Sequence, residues 1–251
     1  MQYDKVLDIT LEVGYRLLES GAEVSRVEES IKRMVMAYGQ SHCDVFAIPS
    51  CIIVTAPDHA GVSQTRIRRL HTRETNLGRV ALLNNLVRQV CSTTPTSAEI
   101  ESSLKRIADS PVFGFPVQLF AYALIAAAFT LFFGGSWADA AVALVCGALM
   151  KLAMHALARF QTNPFFINIA GSALAATLAF FAVRLGLAGQ MDKIIIGTLM
   201  NLVPGVAITT SIQDTIAGDL IAGMTKMAEA FLTATAIALG TGIALSLLRL
   251  I

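Results

Sequence analysis

Apolar residues recur every three or four positions in the first part of the chain, which is the spacing of helices that are buried along one face. One such helix is predicted over residues 2–20 and a second over residues 22–38, with stripes at Val6, Ile9, Val13, Leu17 and Leu18 and at Val24, Val27, Ile31, Met34 and Val35. Between residues 43 and 70 the pattern changes to short β-branched runs bounded by proline and glycine, which is typical of strands. Helices over residues 74–90 and 97–108 follow. The pattern predicts an α+β domain with a small antiparallel sheet.

The rest of the chain is far more apolar. It contains five hydrophobic segments, at roughly residues 117–134, 138–159, 165–187, 192–211 and 225–249. At about 1.5 Å per helical residue, most of them are long enough to cross a hydrocarbon core of about 30 Å. Pro111 and Pro116 mark the join. We therefore predict an α+β domain over residues 1–110, a hinge over residues 111–116 and an all-α transmembrane domain of about five helices over residues 117–251.

Charged residues are few and unevenly distributed. They make up 15% of the chain, against about 25% in a typical soluble domain. Residues 1–116 hold 13 of the 19 Lys and Arg residues and 13 of the 18 Asp and Glu residues. The second part is therefore expected to lie in a lipid bilayer. The formal net charge of +1 gives no indication of a nucleic-acid partner.

The side of the membrane on which the first domain lies is predicted from the N-terminus and from basic residues near the spans. The N-terminus carries acidic residues and no apolar run, so it does not resemble a signal peptide. With this domain in the cytosol, five basic residues flank the inner ends of the spans and three flank the outer ends, namely Lys105, Arg106, Lys151, Arg159 and Lys226 against Arg184, Lys193 and Arg249. We expect a multi-pass protein of the cytoplasmic (inner) membrane with a cytosolic N-terminal domain.

The fourth apolar segment is interrupted at Pro204 and Gly205. Pro204 has no N–H, so the carbonyl of Met200 loses its helical partner and, inside a membrane, needs another donor or a wet cavity. Interrupted helices often hold the substrate site of transporters. Asn201, Pro204 and Gly205 are therefore candidate substrate-binding residues. The alternative is a proline kink that only shapes helix packing.

Three acidic residues follow this interruption, namely Asp214, Asp219 and Glu229. Because acids within or at the edge of a membrane often mark proton or ion pathways, these three are candidates for proton or ion coupling. The alternatives are an ordinary loop for Asp214 and Asp219, a helix cap for Asp219, and a favourable position near a helix N-terminus for Glu229.

Three basic residues recur every four positions at the inner end of the second segment, namely Lys151, His155 and Arg159. They share one helix face, and Lys151, which lies deepest, is a further candidate for binding a substrate carboxylate. The alternative is that these side chains anchor the helix and extend towards the lipid headgroups. His155 could also titrate near neutral pH.

The start of the second predicted helix carries a motif of Gly21, Glu23, Arg26 and Glu28. It places two acids and an arginine around a helix N-terminus. The alternative is that Glu23 and Arg26 form only a local ion pair three residues apart.

Cys43 and three histidines, His42, His59 and His71, are the candidate residues for a hydrolytic site. The chain lacks G-x-S-x-G and H-E-x-x-H, and adjacent residues such as His42 and Cys43 point to opposite faces of a strand. The four cysteines show no metal-ligand spacing. We therefore expect no catalytic residues, no metal and no cofactor, and reduced thiols in a cytosolic domain.

The ordered set of motifs resembles the threonine/serine exporter family. The resemblance rests on Leu18–Glu28 with its Gly21-Ala22 turn, on the strand region around Ile48–Thr55, on the helix Asn76–Val87, and on Leu202-Val-Pro204-Gly205 with Asp214 and Gly218-Asp219. Together these motifs cover nearly the whole chain.

Fused members of that family have twice as many membrane spans, so the chain resembles the split form, in which a small hydrophobic second membrane subunit of four or five spans supplies the rest. The resemblance implies secondary-active export of a small carboxylate metabolite, either threonine and serine or a C4-dicarboxylate such as succinate, coupled to an ion gradient and compatible with a higher oligomer. The alternatives are a membrane-anchored regulatory or scaffold protein and a membrane-tethered hydrolase.

Overall fold

The computed structural model describes residues 3–57, 61–111 and 113–250. Residues of this chain group into two compact units. Unit 1 consists of Met1–Pro111 with Ile208–Met227, and unit 2 of Val112–Ala207 with Ala228–Ile251.

Unit 1 contains helices packed on a three-stranded sheet. Its elements are α1 (Tyr3–Glu19), α2 (Val24–Ala37), β1 (Asp44–Ile48), β2 (Cys51–Pro57), β3 (Ser63–Arg69), α3 (Leu77–Thr93) and α4 (Ser97–Ala108). The strands are antiparallel in the order β1-β2-β3, with Val45 opposite Val54 and Ile52 opposite Arg68. The predicted α+β class and small antiparallel sheet are therefore confirmed.

The core of unit 1 forms where the predicted apolar stripes meet the sheet. Both helical stripes are buried, and so are Ile52, Val54 and Ala56 on one face of β2. Period-two alternation explains this face, because successive strand residues point to opposite sides. Ala222, from the far end of the sequence, lies in the same core.

The structure groups Ile208–Met227 with unit 1. The sequence-based boundaries include these residues in the domain of residues 117–251. The domain of residues 1–110, the hinge at residues 111–116 and the domain of residues 117–251 stay predictions. A fragment that ends at residue 110 would lack Ala222 from its core.

Unit 2 is entirely helical in the part of the chain that the structure describes. The remaining elements are α5 (Phe115–Phe132), α6 (Trp137–Ala158), α7 (Pro164–Arg184), α8 (Met191–Leu199), α9 (Gly205–Ile216) and α10 (Leu220–Leu248), of which α9 and α10 begin or end in unit 1. Among the described residues four helices, α5, α6, α7 and α10, are long and apolar enough to cross a membrane. The predicted fourth segment, residues 192–211, consists instead of the short helices α8 and α9, so the count of five spanning helices is not confirmed.

Small residues allow the helices of unit 2 to pack closely. Its buried clusters are rich in alanine, as expected where lipid removes the hydrophobic drive between helices. At Gly197 of α8, a Cβ would lie 2.6 Å from the Thr130 nitrogen and 2.8 Å from the Ala126 carbonyl oxygen of α5. Only glycine allows this contact between the two backbones.

Gly240 of α10 is a second such position and can be tested. A Cβ there would overlap the Ile169 carbonyl oxygen and the Ser172 hydroxyl of α7, whereas a Cβ at Gly242 would meet nothing within 4 Å. We expect Gly240→Ala to destabilise the protein by about 1–3 kcal/mol through overpacking, and Gly242→Ala to be neutral or stabilising. Thermal unfolding in detergent measures both variants, and equal effects would contradict the close contact.

Candidate functional site

The helix interruption predicted at Pro204 is present. Helix α8 ends at Leu199 and α9 begins at Gly205. Between them the Asn201 and Leu202 amides donate to the Thr198 and Leu199 carbonyls at 3.3 and 2.8 Å, which closes the last turn of α8. Pro204 is half-buried and Gly205 is exposed, and a Cβ at Gly205 would meet nothing within 4 Å.

Asn201 is fixed at this interruption by two hydrogen bonds from its amide nitrogen. Nδ2 donates to the Tyr122 carbonyl of α5 at 3.1 Å and to the Thr198 carbonyl at 3.2 Å. Because carbonyl oxygens only accept, these bonds determine which end of the amide faces them. The Oδ1 atom of Asn201 and the hydroxyl of Thr198 are both buried without a hydrogen-bond partner among the described residues.

Lys151 reaches the same residue of α5 from α6. Its Nζ lies 4.5 Å from the centroid of the Tyr122 ring, a cation–π distance. The backbone of Tyr122 thus contacts Asn201 and its ring contacts Lys151. We refer to Tyr122, Lys151, Thr198 and Asn201 as the Tyr122 cluster.

The Tyr122 cluster offers one cation and two acceptor oxygens that lack partners. A buried oxygen without a hydrogen bond costs about 1–3 kcal/mol, so each such group in a native protein requires an explanation. A ligand that supplies donors to the two oxygens and an anion to Lys151 would satisfy all three. The other members of the basic stripe lie elsewhere: His155 stacks on Phe115 at 4.3 Å, and Arg159 is exposed.

A second polar site lies in unit 1. Asp214 of α9 and Lys226 of α10 form an ion pair, with Oδ2 and Nζ 2.6 Å apart. The side chains are 0% and 2% exposed. The other carboxylate oxygen of Asp214 accepts from the Val24 amide, at the start of α2, at 3.3 Å. We call Asp214 and Lys226 the buried ion pair.

The charge balance of the buried ion pair is asymmetric. Asp214 has a partner on each oxygen, and a helix N-terminus favours an anion. Lys226 carries three N–H donors, but Asp214 is its only recorded partner among the described residues. The hydroxyl of Ser211 donates to the Gly223 carbonyl at 2.7 Å and holds the same two helices together.

Two further acids belong to this part of unit 1. Burial and, secondarily, the charge of Asp214 raise the pKa of the half-buried Asp219, while Lys226 opposes the shift. Burial also raises the pKa of Glu28. The hydrogen bond from the Ala47 amide opposes this upward shift, and the charge of Asp219 reinforces it. That bond, 2.7 Å long, joins α2 to β1.

The residues of the motif at the start of α2 have different structural roles. Gly21 adopts a left-handed φ of 91°, which glycine accepts without strain. Beside it, the Asn76 amide donates to the Ser20 carbonyl at 2.9 Å. Glu23 occupies the N-cap position without a capping hydrogen bond, and no ion pair with Arg26 is recorded within the described ranges.

The remaining candidates are dispersed. Glu229 is exposed on α10. His42 lies 3.0 Å from Asp44 on the surface, and His71 is exposed. Burial raises the pKa of the Cys43 thiol to about 11, so it is protonated at neutral pH. His59 lies outside the described residues.

Sequence reasoning gave Tyr122 and Thr198 no role and counted Lys226 only among the basic residues that flank the inner ends of the spans. Thr198 could have been found because it lies one turn before Asn201 on the same helix face. A lysine inside an apolar run such as that of α10 also indicates a buried partner. Nothing in the sequence relates Tyr122 to the interruption, since the contact arises from the packing of α5 on α8.

Asp139, in the first turn of α6, is a buried acid with a structural role. It accepts from the Gly189 and Gln190 amides at 2.8 and 3.0 Å and forms a capping box with Ser136. The Ser-x-x-Asp spacing is the readable signal. Because its oxygens are occupied, Asp139 is not a ligand site.

Comparison with known proteins supplies the family. A family model described as "Putative threonine/serine exporter" matches residues 8–248. The chain is 23% identical to "Threonine/serine exporter" of Corynebacterium glutamicum over 96% of this chain and 51% of that protein. It is 27% identical to "Probable threonine/serine exporter" of Mycobacterium tuberculosis over 92% of this chain and 44% of that protein. The chain spans about half the length of these curated relatives. No solved structure matches.

Proposed function

Because this chain belongs to the threonine/serine exporter family, we propose that it is one subunit of a secondary-active exporter of small amino acids such as threonine and serine. Four apolar helices in the described part of the chain, together with the family, make it a membrane-embedded protein. We further propose that the protein lies in the inner membrane, with unit 1 on the cytosolic side.

The Tyr122 cluster is the observation that carries the choice of substrate. A hydroxy amino acid presents a carboxylate, an ammonium group and a hydroxyl group. Lys151 would bind the carboxylate, and Asn201 Oδ1 and the Thr198 oxygen would accept from the ammonium and hydroxyl groups. A dicarboxylate has a second anionic group, for which the cluster offers no second cation. This chemistry favours an amino acid over succinate.

A partner is part of the proposal. The resemblance to the split form of the family implies a second membrane subunit of four or five spans, and we propose that this subunit completes the transporter. The chain alone is then inactive.

Transport by reconstituted vesicles tests this proposal. We expect labelled threonine to move only when both subunits are present, and labelled succinate to move slowly or not at all. Full activity of the single chain would contradict the two-subunit assignment. Succinate transport without threonine transport would contradict the substrate. A scaffold protein would support neither threonine transport nor succinate transport. Release of a hydrolysis product by the chain would favour the membrane-tethered hydrolase.

Ion coupling is assigned to the acids around the buried ion pair. Asp219 is the better candidate for taking up a proton during the cycle, because it is partly accessible and its pKa is raised. Asp214 is fully buried and paired, so we assign it the task of holding Lys226. Glu229 remains the alternative coupling residue if Asp219 proves silent.

The raised pKa of Asp219 gives a pH-dependent prediction. Folding favours its protonated form, so stability is highest below the unfolded value of 3.8 and falls as the pH rises through the folded pKa. Asp219→Asn removes this dependence. We expect the variant to match the parent near pH 4 and to be more stable at pH 7, by less than about 1 kcal/mol because the site is partly exposed.

Chemical unfolding of the purified protein at a series of pH values measures this difference. Glu101→Gln, at an exposed acid on α4, is the matched control for the loss of one carboxylate. Asparagine caps a helix about as well as aspartate, so capping alone predicts no change at any pH. A variant that is less stable at pH 7 would contradict the argument.

A further inference from the structure

A groove in unit 1 shares no residue with the two sites described above. It has a volume of about 500 Å³ and runs between α2 and α3. The residues that carry its polar chemistry are Arg26, Glu29, Arg33, Asn84, Asn85 and Arg88.

Helical spacing explains why these side chains share one groove. On α2, Arg26, Glu29 and Arg33 follow one another at intervals of three and four residues. On α3, Arg88 follows Asn85 by three residues and Asn84 by four. The opposite faces of both helices are buried in the core of unit 1, through Val27 and Ile31 on one helix and Leu83, Leu86 and Val90 on the other. Two polar faces therefore border one concave surface. Ala81, small and also in the lining, leaves it open.

The groove is positively charged. Three arginines against one glutamate leave two positive charges in excess. Glu29 lies 3.6 Å from Arg33, and Arg88 donates to the side-chain oxygen of Asn85 at 2.8 Å. Arg26 has no ion pair within the described ranges. Like charges around one concavity repel each other, and an anion bound between them relieves that repulsion.

The chemistry of the lining identifies the kind of anion. Guanidinium groups bind carboxylate and phosphate oxygens in pairs, with a planar fork of donors. The amide nitrogens of Asn84 and Asn85 are additional neutral donors. The volume falls in the range of small-molecule sites, about 300–1,000 Å³.

We propose that the groove between α2 and α3 is a binding site for an oxyanion, a carboxylate or phosphate compound, with Arg26 and Arg88 as its main contacts. The oxyanion can come from a soluble metabolite or from a lipid headgroup. The site would let unit 1 respond to that anion. This proposal does not depend on which compound the transporter exports.

Binding to the full chain in nanodiscs of neutral lipid tests the proposal at low salt. Inorganic phosphate and citrate serve as soluble probes in calorimetry. We expect at least one of them to bind, and Arg26→Gln/Arg88→Gln to weaken that binding at least tenfold. Arg69→Gln removes one exposed charge from β3 of the same unit and should leave the affinity unchanged.

A parallel arm replaces part of the neutral lipid with phosphatidylglycerol. If the oxyanion is a lipid headgroup, phosphatidylglycerol should raise the unfolding temperature of the parent protein and not that of the double variant, even when soluble probes fail. The proposal is wrong if neither probe binds and phosphatidylglycerol has no effect, or if Arg69→Gln weakens binding as much as the groove variants do. Neither measurement requires the second subunit or a gradient. The proposal of an anion site is therefore tested independently of the proposal of export.

Discussion

Asp214→Asn is expected to destabilise unit 1 by about 3–5 kcal/mol, the usual cost of removing one partner of a buried ion pair, and through that loss of structure to abolish gradient-driven export. Asparagine keeps the size of the side chain and can still accept the Val24 amide. It cannot neutralise Lys226, which is 2% exposed and forms no other ion pair or hydrogen bond in the described part of the chain. The loss of stability comes from that uncompensated ammonium group.

A second variant separates instability from loss of coupling. In Asp214→Asn/Lys226→Met both charges are absent and the volume is kept, and such replacements of buried pairs are often neutral or stabilising. We expect it to recover the unfolding midpoint of the parent protein. If the pair takes part in coupling, the double variant still fails to export against a gradient, while exchange of substrate between equal concentrations continues.

Unfolding in denaturant and transport by the two-subunit vesicles measure these effects. Lys226→Met alone leaves Asp214 charged but still bonded to the Val24 amide at a helix N-terminus, so it should destabilise less than Asp214→Asn. Normal gradient-driven export by the stable double variant would show that the pair only holds α9 and α10 together. Coupling would then rest with Asp219, as proposed above, or with Glu229.

The parts of the fold that were predictable from the sequence are those set by local pattern. The stripe of α2 from Val24 to Val35 is buried as its spacing predicts, and Pro204 separates α8 from α9 because it lacks a backbone donor. These features depend on residues within a few positions of each other, and they need no knowledge of the rest of the chain.

The grouping of residues 208–227 with unit 1 was not predictable in this way. The sequence pattern places residues 212–224 in a connection between two apolar segments, whereas the structure places Ala222 in the core of unit 1 and Asp214 on the α2 amide. That amide is separated from Asp214 by 190 positions. Long-range contacts of this kind leave no periodic signal, so the sequence indicates a buried partner for Lys226 but not which residue it is.

The Tyr122 cluster leads to the other large expected effect, at Thr198. Thr198 is fully buried, and its hydroxyl lacks a hydrogen-bond partner among the described residues. Thr198→Val keeps the branched shape and removes the unpaired hydroxyl. We expect the protein to become more stable by about 1 kcal/mol, because the desolvation cost disappears. If the hydroxyl binds substrate, the affinity for threonine should fall about tenfold, the value of one good hydrogen bond.

Thr130→Val is the matched control, since Thr130 is equally buried but its hydroxyl donates to the Ala126 carbonyl at 2.8 Å. Removing that satisfied bond should lower stability by about 1 kcal/mol and leave the threonine affinity of the folded protein unchanged. The two substitutions thus move stability in opposite directions, and only the one at Thr198 changes binding. Thermal unfolding and threonine titration of both variants measure this contrast. A Thr198→Val protein with raised stability and unaltered threonine affinity would contradict this role. The Tyr122 cluster would then be a packing feature, and the substrate would bind elsewhere in unit 2.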